Sequence, residues 1–234
     1  MDKNDVVHQA KAAYYSLERQ GLKSFQCTVA PDWKDFFEQK IEGYSDATTM
    51  EMIKRVRLSV VRNESGQLDL TPFLEGGGKI DGNVAILVDG LVNTLFGFYQ
   101  ILESNVVLTP FSTFDKDFTL DEKGDEYRIV MIDQDGRSEL SMTKDYVITE
   151  IQFTLNTPDI SETVFWPVFE KTDKGLLLSR LSTLNNNGQS RATWDILYKE
   201  VAGLILPSNL VVKNSKGGTT VRLKVDFNQY KVSQ

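Results

Sequence analysis

The stretch "EYRIVMIDQDGRSELSM", residues 126–142, holds two alternating runs separated by an Asp-Gln-Asp-Gly turn. Apolar residues at every second position place one face of a strand against a core and leave the other face to water. Asp followed by Gly between two such runs is the strongest local signal for an antiparallel hairpin. This stretch therefore predicts two neighbouring strands of an antiparallel sheet.

Similar runs recur from residue 55 to the end of the sequence. They include "RVRLSVVR", "VITEIQFTL", "TVFWPVFE", "GLLLSRLSTL", "RATWDILY" and "TTVRLKVDF", with the turn clusters "NESG", "TDKG", "NNNG" and "NSKGG" between them. In the last run, the predicted buried face holds Val221, Leu223, Val225 and Phe227. About nine or ten strands joined by short turns predict one large meandering sheet, not βαβ units. With no linker or repeat visible, residues 1–234 form one predicted domain.

Helices are predicted mainly before the sheet. Residues 5–20 have apolar side chains at helical spacing, and Gly21 follows as a C-terminal cap. Asp32 is a predicted N-cap of the segment "WKDFFEQKI", and residues 46–54 form another helical candidate.

A longer and more apolar helix is predicted from Val84 to Leu102. Its narrow wet stripe consists of Asp89, Asn93, Gln100 and Glu103, with Phe96 among them. Such a helix is normally buried or spans a membrane. An Asp and two amides are costly in hydrocarbon, so we predict no transmembrane segment. The helix is then either a core helix or a lid over an apolar cavity.

Three glycines precede this helix in "FLEGGGKI", which invites comparison with a phosphate-binding loop. A Walker A loop requires G-x-x-x-x-G-K-[ST], but Ile80 follows Lys79 and Phe73 occupies the first glycine position. Nucleotide binding is therefore not predicted. Gly76, Gly77 and Gly78 are instead a predicted hinge of the helix.

The composition excludes several functions. A net charge of −7 argues against binding nucleic acid or anionic lipid. His8 and Cys27 are the only histidine and cysteine, so the usual zinc sites are excluded. A calcium-like run puts acidic residues at loop positions from Asp115 to Glu126, but Leu120 stands where glycine is required. We predict a solvated loop there, and no metal or cofactor.

The sequence contains no recognisable catalytic motif. Any Ser-His-Asp or Cys-His arrangement must use His8, which lies in no motif, and no G-x-S-x-G occurs. Cys27 in a predicted strand is typical of a small buried hydrophobe. The sequence therefore favours a protein that is not an enzyme. Its polar start, Met1–Asp5, has no signal-peptide pattern, which fits either a cytoplasmic protein or a mature form with its leader removed.

Two segments resemble the bacterial LolA/LolB-like superfamily. One is the helix with "AYYSLERQGLKSFQCTV" (13–29), which precedes a long antiparallel meander interrupted by an apolar helix. The other is the ending "LILPSNLVVKNSKGGTTVRLKVDFNQYKV" (204–232), a proline-led hairpin with an Asp-Phe-x-x-Tyr tail. The resemblance covers essentially the whole chain by architecture. The long insert between about 30 and 55 departs from the family pattern.

The resemblance implies an α+β fold: a curved antiparallel sheet, an open half-barrel, covered by a few helices. The groove would bind a lipid or a lipoprotein acyl chain without catalysis, in the periplasm or outside the cell. An outer-membrane or inner-membrane protein would be its partner. The predicted groove residues are Leu91, Leu95, Phe98, Phe153 and Trp166. The family's carrier closes its lid with a sheet arginine, but none of Arg128, Arg180, Arg191 or Arg222 can be assigned that role.

Two alternatives stay open at this stage. One is a structural or protein-interaction module of the cell envelope whose own helices fill the sheet. The other is a hydrolase that uses His8 or a carboxylate pair.

Overall fold

The computed structural model describes residues 2–38, 47–80, 82–112, 117–134, 136–156, 162–185 and 190–234. Within these residues, twelve strands form one mostly antiparallel sheet in the order β3-β2-β1-β12-β11-β10-β9-β8-β7-β6-β5-β4. The sheet is open, with β3 and β4 as its edges. The coarse prediction of an antiparallel sheet with a few helices is therefore confirmed.

The strands are β1 (Ser24–Pro31), β2 (Val56–Arg62), β3 (Leu68–Leu74), β4 (Thr119–Lys123), β5 (Glu126–Ile132), β6 (Gly136–Thr143), β7 (Ile148–Leu155), β8 (Glu162–Thr172), β9 (Gly175–Asn185), β10 (Ser190–Val201), β11 (Leu204–Lys216) and β12 (Thr219–Ser233). The helices are α1 (Lys3–Ala13), α2 (Trp33–Glu38), α3 (Ala47–Lys54) and α4 (Gly82–Leu102), and a π-helical turn, Glu103–Val107, follows α4.

The chain divides into two compact units. Unit 1 consists of Met1–Ser16, Ser104–Asp195 and Lys213–Thr220. Unit 2 consists of Leu17–Glu103, Ile196–Val212 and Val221–Gln234. Strands β10, β11 and β12 each contribute residues to both units. That the whole chain behaves as one domain stays a prediction.

One face of α1 is buried in the core of unit 1. The Asp2 side chain caps the helix by accepting a hydrogen bond from the Asn4 amide at 2.8 Å. The apolar side of α1 joins a core whose buried members are Val6, Val7, Ala10, Tyr14, Phe111, Phe118, Tyr127, Ile129, Leu140, Met142, Ile148 and Leu176. This face positions α1 against strands β5, β6, β7 and β9.

Helix α1 ends at Ala13, so its predicted extension to residue 20 is wrong. Tyr14 adopts an extended backbone and pairs with Leu176, while the Tyr15 amide donates to the Leu176 carbonyl at 2.9 Å. A Cβ atom on Gly175 would lie 2.8 Å from the Tyr15 nitrogen, so only glycine permits this approach. The tertiary pairing replaces the last helical turns that periodicity predicts.

Unit 2 contains the other helices. The Asp32 side chain accepts a hydrogen bond from the Asp35 amide at 3.1 Å, which confirms the predicted N-cap. Helix α3 and strand β1 also lie where they are predicted. At the end of β12, Val225 and Phe227 are buried as predicted, whereas Val221 is exposed.

Two strands were not predicted. Strand β3 contains Pro72, which suits an edge strand because it offers no backbone donor. Strand β4 replaces part of the solvated loop predicted over 115–126, so the loop prediction is wrong for Thr119–Lys123, although four of these five residues are exposed. Thr119 pairs with Val130 across a hairpin, so the backbone there is extended. Asp115 lies outside the described residues.

Candidate ligand-binding face

The inner face of unit 1 is the face of strands β5–β9 that carries the core beneath α1, and pairing with β9 extends this face onto β10. The pairing register assigns its side chains to cross-strand rows, because directly opposed residues point to the same side of a sheet. The rim row is Met131, Ser138, Phe153, Thr163, Asn185 and Ser190. The middle row is Ile129, Leu140, Ile151, Phe165, Thr183 and Ala192.

Burial falls from the middle row to the rim row. Ile129 and Leu140 are buried in the core beneath α1. Phe153, two residues further along β7 than Ile151, is 40% exposed, and Leu155 is 44% exposed. The Phe153 ring packs edge-on against Phe165, with centroids 5.6 Å apart. Along β7, the apolar surface therefore continues from the core into solvent at Phe153 and Leu155.

Charges are segregated between the two faces of this part of the sheet. Neither the rim row nor the middle row contains Asp, Glu, Lys, Arg or His. On the opposite face, the Glu139 carboxylate pairs with Arg128 and, at 2.6 Å, with Arg137. A polar groove of about 210 Å³ beside Glu139 is also lined by Glu150. The inner face therefore favours an uncharged, apolar contact.

Phe153 and Trp166 do not share a face. Phe153 is opposite Thr163 and Ile151 is opposite Phe165, so Trp166 points the other way. The Trp166 indole donates to the Glu150 carboxylate at 2.9 Å on the charged face. Of the two predicted groove residues in unit 1, only Phe153 lies on the apolar inner face.

Two polar atoms on the inner face are buried and make no hydrogen bond within the described structure: Asn185 Oδ1 and Trp194 Nε1. Asn185 belongs to the rim row, and Trp194 is opposite Leu181 on the same face. A buried acceptor or donor without a partner is costly, by about 1–3 kcal/mol. Sequence reasoning had no signal for either atom, because the lack of a partner appears only in the folded chain.

The three predicted groove residues of α4 lie in the core of unit 2. Leu91, Leu95 and Phe98 are all buried, and the Phe98 ring lies 5.5 Å from that of Phe227. The predicted wet stripe is exposed at Asp89, Asn93, Phe96 and Gln100. Here α4 has the placement of a core helix, and its role as a lid stays a prediction.

Glu103, the last residue of the predicted stripe, forms an ion pair with Arg62 of the sheet. The Arg62 guanidinium on β2 donates two hydrogen bonds to its carboxylate, both 2.8 Å long. Hydrogen bonding to Glu103 raises the pKa of Arg62. Sequence analysis did not single out Arg62, because nothing in local periodicity relates residue 62 to residue 103.

The predicted hinge has a strained backbone suited to glycine. Gly76, Gly77 and Gly78 have φ angles of 81°, 81° and 122°, which side-chain-bearing residues rarely adopt. The Arg55 guanidinium holds this segment, donating to the Glu75 carbonyl at 2.8 Å and to the Gly77 carbonyl at 2.7 Å. Movement about these glycines stays a prediction.

The two candidate catalytic residues differ in their exposure to solvent. His8 is exposed on α1. Cys27 is buried, with Sγ 3.5 Å from the Tyr99 hydroxyl, and burial raises the pKa of its thiol to about 11. A protonated thiol is a poor nucleophile. Across the described residues, no three His, Cys, Asp or Glu side chains are grouped so that they could hold a metal ion.

Comparison with protein-family models, with curated proteins and with solved structures gives no match to this chain. One described helical segment, Gly82–Val107, is long and apolar enough to cross a membrane, with a mean hydropathy of 1.5. A core helix of a soluble protein can have the same length and composition, so a single helix of this kind is weak evidence for a membrane span. The absence of a transmembrane segment stays a prediction.

Proposed function

We propose that the chain binds the acyl chain of a lipid or lipoprotein, without catalysis, on the inner face of unit 1. The observation that carries the proposal is the exposure of Phe153 and Leu155 on a face that is continuous with the core and holds no charged side chain in its rim and middle rows. Exposed apolar surface next to a core marks a binding surface more often than isolated exposed residues do.

Apolar burial supplies the binding free energy in this proposal. Each methylene removed from water contributes about 0.8 kcal/mol, so ten buried methylenes correspond to roughly micromolar affinity. The Phe153–Phe165 pair offers ring edges and faces against which a flexible chain can pack. No bond is made or broken in this proposal.

The wider setting belongs to the same proposal. We place the chain among LolA/LolB-like proteins of the bacterial cell envelope, periplasmic or secreted, with a curved half-barrel sheet. The acyl chain would be received from or passed to a membrane partner protein. The alternating sheet with an apolar helix between β3 and β4 supports this proposal.

The test is the binding of a fluorescent fatty acid to the full chain and to the Phe153→Ser variant. We expect Phe153→Ser to weaken binding about tenfold, because it removes an aromatic contact of roughly 1–2 kcal/mol. The matched control is Ile132→Ser. Ile132 is 69% exposed, and it lies opposite Arg137 on the charged face of the same sheet. The control should bind as the unaltered chain does.

Equal weakening in both variants would contradict the proposed face. Native mass spectrometry of the purified chain, followed by lipid extraction, adds an independent readout. A bound mass that extracts as lipid supports the proposal.

A second candidate is a protein-interaction module of the cell envelope whose core is filled by its own side chains. The complete burial of Leu95 and Phe98 against the sheet of unit 2 favours it. If the chain is such an interaction module, it should not bind the fluorescent fatty acid, and no lipid should be extracted from the purified chain. Failure of both measurements would replace the first proposal with this one.

A further inference from the structure

We propose that the exposed face of α4 binds the same face of a second copy of this chain, with the two helices antiparallel. This face belongs to unit 2, whereas the acyl-chain face belongs to unit 1. Helix α4 has more apolar surface than the fold covers. The segment Gly82–Val107 has a mean hydropathy of 1.5, yet only 33% of an apolar 18-residue window in it is buried. An apolar helix face left open in this way is a candidate interface.

The exposed residues of α4 include a heptad seam. Side chains spaced alternately four and three residues apart lie along one side of a helix, which is the spacing that packs two helices together. The two large apolar members of the seam, Ile86 and Phe96, are 68% and 44% exposed. The complete seam, in which every residue is exposed, is Gly82, Ile86, Asp89, Asn93, Phe96 and Gln100.

The seam is complementary to itself when its direction is reversed. A two-fold axis midway between Asp89 and Asn93 places Asp89 of one copy opposite Asn93 of the other. The same axis places Ile86 opposite Phe96. Apolar side chains then pack on apolar side chains, and the Asp89 carboxylate accepts a hydrogen bond from the Asn93 amide. The two-fold axis makes each of these contacts twice.

Neither a parallel helix pair nor a lipid surface offers this complementarity. In a parallel pair each residue meets its own copy, so two Asp89 carboxylates face each other and repel. In a membrane, Asp89 and Asn93 enter hydrocarbon together with Ile86 and Phe96, since they lie between them in the seam. A carboxylate and an amide are costly there. Charge complementarity therefore favours a second copy in the antiparallel direction.

Sedimentation equilibrium of the full chain tests the association. One helix pair buries less surface than a standard interface of about 1,600 Å², so we expect a dissociation constant of roughly tens of micromolar. The mean mass should rise from one chain to two as the concentration passes through this value. Ile86→Glu places a carboxylate opposite Phe96 in both halves of the dimer, so it should weaken association at least about tenfold.

The matched control is Leu197→Glu. Leu197 is 64% exposed on β10, within unit 2 and outside the seam. It adds the same charge in place of an exposed aliphatic side chain, and it should leave the dissociation constant unchanged.

Asn93→Lys tests the direction of the helices. In the antiparallel pair, each new ammonium group meets an Asp89 carboxylate, so the dimer should tighten about fivefold at low salt and lose this gain at high salt. In a parallel pair, the two Lys side chains would meet and repel. A tighter dimer cannot result from a variant that fails to fold.

Each other outcome overturns part of the inference. A mass of one chain at every concentration overturns the association itself. A dimer that Ile86→Glu leaves intact overturns the assignment to α4, and a dimer that Asn93→Lys weakens overturns the antiparallel direction. Binding of a monomeric chain to uncharged phosphatidylcholine vesicles, lost in Ile86→Glu, would assign the face to a membrane instead.

Discussion

Tyr14 shows at the scale of one residue how a side chain ends a helix and joins two elements. Its hydroxyl accepts the Ile148 amide at 2.8 Å and donates to the Tyr146 carbonyl at 2.8 Å. Its ring packs edge-on against Phe169, with centroids 4.8 Å apart. Burial raises the pKa of the hydroxyl, which favours the protonated form that donates to Tyr146. Tyr14 makes these contacts with an extended backbone, directly after the last residue of the helix.

Tyr14→Phe should lower the free energy of unfolding by about 1–3 kcal/mol, because the Ile148 amide loses its acceptor in a buried place. Urea denaturation measures the change. Tyr146→Phe is the control, since its hydroxyl pairs with Gln9 at the surface, and it should cost less than about 0.5 kcal/mol. Equal costs would mean that the Tyr14 hydrogen bonds add nothing to stability.

Cys27 should make the free energy of unfolding depend on pH in the alkaline range. Burial raises the pKa of its thiol from 9.0 to about 11. The folded state thus favours the neutral thiol, and this contribution to stability is complete below pH 9. It is lost as pH rises toward 11, because the thiol of the unfolded chain ionises first. The loss is about 2–3 kcal/mol.

Cys27→Ser tests this dependence, because serine keeps a partner for Tyr99 and does not titrate. We expect the stability of the unaltered chain to fall more steeply between pH 8 and 11 than that of the variant. Parallel pH profiles of the two proteins would show that the thiol ionises equally in the folded and unfolded states.

At the scale of the element, replacing a glycine by alanine should change the stability of the chain in opposite directions in α4 and in the segment before it. Gly77 has a φ of 81°, whereas Gly90 is helical, and an added Cβ atom meets nothing within 4 Å at either position. Gly77→Ala should therefore destabilise the chain by about 1 kcal/mol through backbone strain. Gly90→Ala should stabilise it by about 0.5–1 kcal/mol through helix propensity.

Thermal unfolding of the two variants, compared with the unaltered chain, measures both effects. Each variant is the control for the other, since both add one methyl group in open space. A stabilising Gly77→Ala would contradict the positive φ and the assignment of this segment as glycine-dependent.

Prediction from sequence succeeded for elements whose signal is local. Strands β5 to β10 follow alternating runs between turn clusters, and Asp32 caps α2 by contact within one helical turn. It failed where the signal is short or distant. Strand β4 offers only Leu120 as an apolar residue, and the end of α1 is decided by Leu176, which is remote in sequence.

At the scale of the whole molecule, three of the five unit boundaries fall inside strands β10, β11 and β12, so each of these strands contributes residues to both units. A strand cannot lose half of its ladder without exposing the backbone groups of the rest. We therefore expect one cooperative unfolding transition.

Two variants test this expectation. Tyr14→Phe lies in unit 1 and Phe227→Ala in unit 2, where Phe227 is buried against Phe98 and Tyr99. Phe227→Ala should cost about 3–5 kcal/mol. Both variants should shift the whole transition, followed by calorimetry and by tryptophan fluorescence. A shift of only part of the transition in either variant would contradict the single-domain prediction.

The sequence by itself determined that this chain forms alternating antiparallel strands with a few helices, because period-two apolar patterning and Asp-Gly turns act over a few residues. It also determined that α4 turns a polar stripe to water. Only the tertiary structure decided that β1 pairs with β12, that Arg62 meets Glu103, and that Phe153 and Trp166 lie on opposite faces. These relations depend on register and on contacts between residues far apart in the chain, and a one-residue shift in register would reverse every face.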